Sequence, residues 1–402
     1  MLPRSVGPTS TPRASAPLAA AYAITFFAFV DTFAFLPTIG PHADALGASS
    51  LVVGAVVGAY SATNLLVNPV AGVFLDRVGR RRLLLLGLAL AAAALACYPL
   101  ADSPGSLVAV RLLHGVGGGI IVPAVFTFVG DLTGDARRGR AMGRTGAMIG
   151  LAAIIAPPLA TTLANRAGFA VLAIAVAGLL LTGLVVAAAV MPETHRPRGE
   201  SEPDAPPAAL RRLGRASLAV FGFTFALGGL SAFLPFRVED VGGSPAVTGG
   251  LLSLFALVAA AGMLSPLADS SRTRRPGLPM VAGLTAVALA LVAVGAGPTL
   301  PVLAVGAATF GLGYALVFPA AAEQAASAAG GARRGRAFGA FHAAFSLGFV
   351  IGPPIAGAAS TGPLGPFTAG AVVAVLALLA VPALRVETAA VSPAREAGDP
   401  RA

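Results

Sequence analysis

Apolar stretches long enough to cross a lipid bilayer, ~17–25 residues each, follow one another along almost the whole chain. Nothing else constrains the fold so tightly. In hydrocarbon no water can bond a bare amide or carbonyl, so each stretch must satisfy its backbone internally, as a helix. A membrane barrel would alternate apolar and polar residues along its strands, and these runs do not alternate. Composition agrees: of 402 residues 56% are hydrophobic and 11% charged, with a mean hydropathy of +0.84, whereas a soluble chain is roughly a quarter charged. The expected fold is an all-α polytopic membrane protein of twelve transmembrane helices. Their spans fall near 17–39, 50–74, 83–101, 107–129, 142–164, 168–190, 218–236, 247–268, 278–296, 301–322, 338–358 and 366–384. The polar N-terminus shows no secretory cleavage site before the first run, so span one is expected as an uncleaved helix. The lone Cys97 can form no internal disulfide and is expected to be a small packing residue.

The net charge of +10 comes from arginine alone, since there is no lysine. Its placement argues against nucleic acid. Arg80, Arg81 and Arg82 follow span two; Arg137, Arg138 and Arg140 follow span four; Arg196, Arg198, Arg211, Arg212 and Arg215 follow span six. Arg272, Arg274 and Arg275 follow span eight, and Arg333, Arg334 and Arg336 follow span ten. The odd-numbered exits carry only Arg166 and Arg237. This positive-inside pattern predicts a multi-pass protein of the cell membrane with both termini cytoplasmic.

The chain also repeats itself. Residues 136–160 read "ARRGRAMGRTGAMIGLAAIIAPPLA" and residues 332–356 "ARRGRAFGAFHAAFSLGFVIGPPIA", an ungapped offset of 332 − 136 = 196. "AFLP" at 34–37 returns at 232–235, and "PET" at 192–194 is echoed by "VET" at 386–388. Two pseudo-symmetric six-helix bundles are therefore expected, over 1–190 and 217–386. A Pro- and charge-rich cytoplasmic linker at 191–216, with a short surface helix in "PAALRRLGRA", joins them, and a tail at 387–402 follows. Such an arrangement suits a secondary transporter whose halves rock about a midplane site.

"GVFLDRVGRRR", residues 72–82, resembles the G-x-x-x-D-R-x-G-R-R signature that the major facilitator superfamily carries between its second and third helices. Gly72, Asp76, Arg77, Gly79, Arg80 and Arg81 match it. "RLLHGVGGG" in span four is similar to a second family phrase, with His114 in place of the usual Gln. "APPLA" in span five and "GPPIAG" in span eleven look like the G-P-x-x-G phrase of the twelve-helix drug:proton antiporter branch, although Ala156 and Ala160 replace the glycines in the first copy. The resemblance implies the major facilitator fold, transport without a cofactor or metal, and a cytoplasmic gate at Gly72, Asp76, Arg77, Gly79, Arg80 and the second copy's Asp269. From the residues themselves, Gly72 would let helices approach closely, and Asp76 would bond helix N-terminal amides or a neighbouring arginine. Arg81 and Arg82 need do no more than fix topology. Pro157–Pro158 and Gly352–Pro353–Pro354 should bend spans five and eleven.

Polar residues present in one half only are the better functional candidates. Asp31 stands opposite Gly229 at offset 198; Arg111 and His114 stand opposite Ala307 and Phe310 at offset 196. An ionisable group inside a span costs ~2.5–3.5 kcal/mol on insertion scales and marks function by default. Depth arithmetic at 1.5 Å per residue puts Asp31 ~12 Å, Arg111 ~6 Å and His114 ~10 Å from one face, in a shared layer. Asp31 is expected to carry a coupling proton, its charge switched by movement relative to Arg111, with His114 as relay. The competing readings are a static Asp31–Arg111 pair and a His114 that merely hydrogen-bonds. Phe26, Phe27, Asn64, Phe225, Tyr314, Phe341 and His342 are expected to line a substrate cavity for an apolar or apolar-cationic compound, with Asp31 as a cation's partner.

The reading with most support is a monomeric proton-coupled exporter of lipophilic, drug-like molecules. A proton symporter or uniporter importing a metabolite is the alternative within transport, and a polytopic receptor or channel is the alternative of another class. No Ser/His/Asp set, HExxH, Cys/His metal spacing or phosphate loop points to an enzyme.

Overall fold

A computed structural model describes residues 15–133, 135–194, 207–265, 277–327 and 333–383. Thirteen α-helices account for most of them: α1 (Ser15–Phe35), α2 (Ile39–Ala45), α3 (Ser50–Arg77), α4 (Arg80–Cys97), α5 (Pro104–Leu132), α6 (Asp135–Ala167), α7 (Phe169–Val190), α8 (Pro207–Asp240), α9 (Pro245–Leu264), α10 (Leu278–Ala296), α11 (Leu300–Ser327), α12 (Arg333–Ala358) and α13 (Phe367–Ala383). Eleven are long and apolar enough to cross a bilayer, and α13 carries a shorter apolar run, Phe367–Val381. With α13 they match the twelve expected spans; α2, two turns long, is extra. The stretch "PAALRRLGRA" is not a separate surface helix but the opening of α8.

Local chemistry sets the ends that matter below. Pro37 disfavours helix in the residue before it, so α1 stops at Phe35 rather than Ile39. Ser103 and Ser106 bond each other's backbone as a capping box, with Pro104 at the first helical position, so α5 starts three residues before Leu107.

Helices α1 and α3–α7 pack into one bundle, and α8–α13 into another. The repeat is visible contact by contact. A Cβ on Gly115 of α5 would sit 2.5 Å from the Tyr60 carbonyl of α3, and one on Gly311 of α11 would sit 2.5 Å from the Phe255 carbonyl of α9. The bundles meet along two equivalent seams, α3 with α12 and α9 with α6. Each seam is organised by a tandem proline. Pro158 has no amide to bond the carbonyl four residues back, and that freed carbonyl, of Ile154, accepts the Ser253 hydroxyl of α9 at 2.6 Å. In the other seam Pro354 frees the carbonyl of Val350, which lies 2.5 Å from where a Cβ on Gly58 of α3 would be. Side chains are excluded at the crossings: a Cβ on Gly54 would land on the Pro353 and Pro354 backbone, and one on Gly249 would lie 2.5 Å from Pro158 Cα.

These contacts lie toward the arginine-poor ends of the helices. Gly72 is eighteen residues beyond Gly54, five turns of helix, so it shares that face of α3, yet none of the described residues lies within 4 Å of its Cβ position. Gly339 stands in the same relation to Gly357, which is packed on Ser50 of α3, and Gly143 to Thr161; neither Gly339 nor Gly143 has a neighbour within 4 Å. The bundles are thus closed at the arginine-poor face and parted at the arginine-rich one. Gly72 therefore makes no close helix approach here, contrary to expectation, because its partner face has swung away.

This predicts a contrast between two substitutions on one helix face. Gly54→Leu forces a side chain into the closed seam and should cost about 1–3 kcal/mol, whereas Gly72→Leu should stay within about 0.5 kcal/mol. Thermal unfolding of the purified protein in detergent measures both.

Candidate functional site

Asp31 lies one turn before the end of α1, and His114 and Arg111 occupy one face of α5. Packing of α1 against α5 brings the acid and the imidazole together: His114 Nε2 lies 3.0 Å from Asp31 Oδ2, with both side chains at most 2% exposed. His114 Nδ1 lies 3.1 Å from the Tyr98 hydroxyl, and that oxygen lies 3.4 Å from Arg111 Nη1. Arg111 spans to α3, donating from Nε to the Val56 carbonyl at 3.3 Å and from Nη2 to the Val57 carbonyl at 3.4 Å. Its guanidinium lies 5.0 Å from the centre of the Tyr60 ring, within cation–π range.

The directions of these bonds follow from chemistry. Guanidinium has only donors, so Tyr98 Oη accepts from Arg111 and its own hydrogen is free for His114 Nδ1. The remaining imidazole proton, on Nε2, then points at Asp31. Asp31 Oδ1 is buried and has no hydrogen-bond partner. Rings wall the imidazole on three sides, Tyr60 at 5.1 Å, Tyr98 at 5.8 Å and Phe35 at 5.9 Å between centroids, which keeps water away. His42 of α2 extends the aromatic cluster, stacked on Phe169 at 3.8 Å, and desolvation holds its pKa below the ordinary histidine value.

The expected layer of Asp31, Arg111 and His114 exists, but its wiring differs. Among the described residues Asp31 and Arg111 form no ion pair; His114 stands at the acid and Arg111 is linked through Tyr98. Tyr98 and Tyr60 were not singled out from sequence, although the criterion that selected Asp31 reaches Tyr98 as well. Its counterpart in the second bundle is Val294, and that of Tyr60 is Phe255. Where the first bundle has His114, the second has Phe310, packed against Phe223 at 5.5 Å and Phe255 at 5.8 Å. One bundle holds a polar chain at this level and the other an aromatic core.

The expected cavity residues divide. Phe26, Phe27, Asn64 and Tyr314 are half-buried and His342 is exposed, but Phe225 and Phe341 are 2% and 0% exposed, inside the second bundle. Gly352 is pressed against the Phe225 backbone, and a Cβ there would lie 2.9 Å from Phe225 Cα. Asp31 is sealed in the first bundle and does not face the gap between bundles, so it offers no direct partner to a cationic substrate. The tandem prolines lie within uninterrupted helices α6 and α12, at the seams.

At the arginine-rich face, α4 starts from Gly79, whose φ of +105° is open only to glycine. Its first amides are capped by Glu193, from the segment after α7, at 2.8 Å to the Arg80 N–H and 3.3 Å to the Arg81 N–H. Arg80 Nε pairs with Asp131 of α5 at 2.6 Å, and the Thr194 hydroxyl donates to the same carboxylate at 2.9 Å. Arg81 Nη2 donates to the Ala188 carbonyl at 2.6 Å. The acid that serves the helix terminus is thus Glu193. Arg77 is exposed, beside a pocket of about 460 Å³ lined also by Arg81, Arg82 and Glu193. The side chain of Asp76 and the whole of Asp269 lie outside the described residues.

Comparison with known proteins identifies the architecture. The family model for the Major Facilitator Superfamily matches in two overlapping placements, residues 21–330 and 216–401. The chain belongs to this family. The inner membrane transport protein YajR of Escherichia coli is 32% identical over 163 residues, 40% of this chain and 36% of that one. Multidrug resistance protein 2 of Bacillus subtilis is 30% identical over 132 residues, 33% of each. The matched stretches thus span about a third of these relatives' length. Among solved structures, a bacterial homologue of the human lysosomal transporter Spinster, inward-facing and unoccupied, superposes with a TM-score of 0.75 at 18% identity, covering 93% of this chain and 95% of that one. The human organic anion transporter MFSD10 superposes with a TM-score of 0.67 at 20% identity, covering 92% of this chain and 100% of that one.

The capping network makes a prediction of its own. Glu193→Ala removes the cap of α4 and should cost about 1–2 kcal/mol. Asp131→Asn removes the carboxylate paired with Arg80 Nε and should cost about 1–3 kcal/mol, below the 3–5 of fully buried pairs because Asp131 is partly exposed. Thermal unfolding in detergent reads both.

Proposed function

We propose that this transporter exports lipophilic, drug-like small molecules in exchange for protons, by alternating access. The observation that carries the reading is the sealed Asp31–His114 pair, with one carboxylate oxygen unpartnered among the described residues, in a bundle whose twin has Gly229, Ala307 and Phe310 at the positions of Asp31, Arg111 and His114. A structural ion pair would be expected to bond both oxygens. Here the acid shares one hydrogen bond with a group that can itself hold or release a proton, so a proton can reside on either partner. Such intramembrane chains serve proton relays.

The seams support rocking. Both are built on equivalent proline–glycine crossings, so closing the arginine-rich face and opening the other exchanges one set of bundle contacts for another without unpacking either bundle. We assign the arginine-rich face, and with it both termini, to the cytoplasm of a cell-membrane protein. The structure then faces inward, ready for cytoplasmic substrate. The half-buried Tyr314, Phe318, Phe345 and Phe349 offer flat apolar surface for a substrate's rings. Relatives carry consonant names: multidrug resistance proteins 1 and 2 of B. subtilis, and the probable vesicular acetylcholine transporter-B of Danio rerio, 32% identical over 148 residues.

The test is transport of lipophilic dyes in everted vesicles under an imposed proton gradient. Asp31→Asn should lose uphill uptake yet retain counterflow, which needs no proton, and His114→Gln should shift the pH profile. Uphill transport by Asp31→Asn equal to the parent's across the pH range would overturn the assignment.

A further inference from the structure

The two bundles differ at the corner where α4 and its repeat α10 begin. In the first bundle the charges at the start of α4 are matched within the chain, Glu193 on the helix amides and Asp131 on Arg80. Helices α10 and α11 repeat α4 and α5 at offset 196: Gly87 lies against Ile121 as Gly283 lies against Val317. At the second corner α10 starts from Gly277 with no side-chain cap. The cation there is Arg215 of α8, 9% exposed, with its Nε buried and unpartnered. Its guanidinium lies against Gly277, where a Cβ would meet Nη2. No carboxylate pairs with Arg215 among the described residues.

A buried guanidinium beside the amides of a helix N-terminus, with no counter-charge among the described residues, is a positive site each half of which favours an anion. Guanidinium's planar fork matches phosphate oxygens two at a time. The depth is that of lipid headgroups, since the apolar windows of α8 and α10 begin at Arg211 and Leu278. Leu278, next to Gly277, is 53% exposed and offers an acyl chain a path down the outside of α10. We propose that Arg215 and the N-terminus of α10 bind a phosphate group, drawn from an anionic phospholipid of that face or from free phosphate. The bound group fastens α8 to α10 as Glu193 and Asp131 fasten the corner of the first bundle. Transport need not be measured to test it.

The experiment uses the full chain purified in detergent, with thermal unfolding and native mass spectrometry. Phosphatidylglycerol, phosphatidylcholine and inorganic phosphate are added separately. Phosphatidylglycerol should be retained and raise the Tm of the parent more than phosphatidylcholine does. Arg215→Gln should weaken that retention about fivefold, the contribution of one arginine at a membrane surface, while Arg211→Gln, which removes an exposed arginine of the same turn, should do less. Arg215→Lys keeps the charge without the fork and should fall between. Stabilisation of the parent but not Arg215→Gln by inorganic phosphate alone would assign the site to free phosphate. Equal weakening by Arg211→Gln and Arg215→Gln would overturn the proposal in favour of a diffuse basic face. So would indifference to every phosphate source combined with equal destabilisation by Glu387→Gln and Arg215→Gln, because the second copy's own acid would then fill the site.

Discussion

Two freed carbonyls, of Ile154 and Val350, sit where the halves of this transporter touch. In hydrocarbon an unbonded carbonyl costs several kcal/mol, so a proline inside a spanning helix must be accompanied by something that answers the group it orphans. In one seam the answer comes from the opposite bundle, the Ser253 hydroxyl on the Ile154 carbonyl; in the other the Val350 carbonyl lies close against the side-chain-free backbone at Gly58. The same proline that breaks the helix ladder thus marks where the neighbour must come close, and small residues on α3 and α9 allow it. Everything else about the bundle arrangement, including the parted arginine-rich face, pivots on these crossings.

Above this symmetric frame the chemistry is lopsided. The first bundle threads Arg111, Tyr98, His114 and Asp31 on a line of hydrogen bonds, in which Arg111 can only donate to Tyr98. The second fills the same depth with Phe223, Phe255 and Phe310. A polar chain in one bundle is expensive, but its members satisfy one another almost completely. The oxygen of that chain left over among the described residues is Asp31 Oδ1.

The arginine-rich face shows the same economy of matching. Glu193 reaches from beyond α7 to the start of α4, and Asp131 takes Arg80, so three helix ends of the first bundle are tied at one point. That knot lies inside a single bundle.

Length and hydropathy were enough to determine a helical membrane protein, because lipid leaves the backbone no alternative, and the 196-residue offset was enough to determine two like bundles. Comparison of the halves also picked out Asp31, Arg111 and His114, since a buried charge stands out against an apolar twin. What the sequence could not carry was which of them meet. Helix ends lay three or four residues from where apolarity suggested, at Phe35 and Pro104, because Pro37 and the Ser103–Ser106 box, not hydrophobicity, stop and start those helices. The rotation of α5 against α1 then placed an imidazole, rather than a guanidinium, on the acid. Likewise only packing could show that Glu193 caps α4, or that Arg215 meets no carboxylate among the described residues. Period and composition fix what each segment is; the distances between segments far apart in the chain are decided by how their side chains interlock, and that is a property of the folded molecule alone.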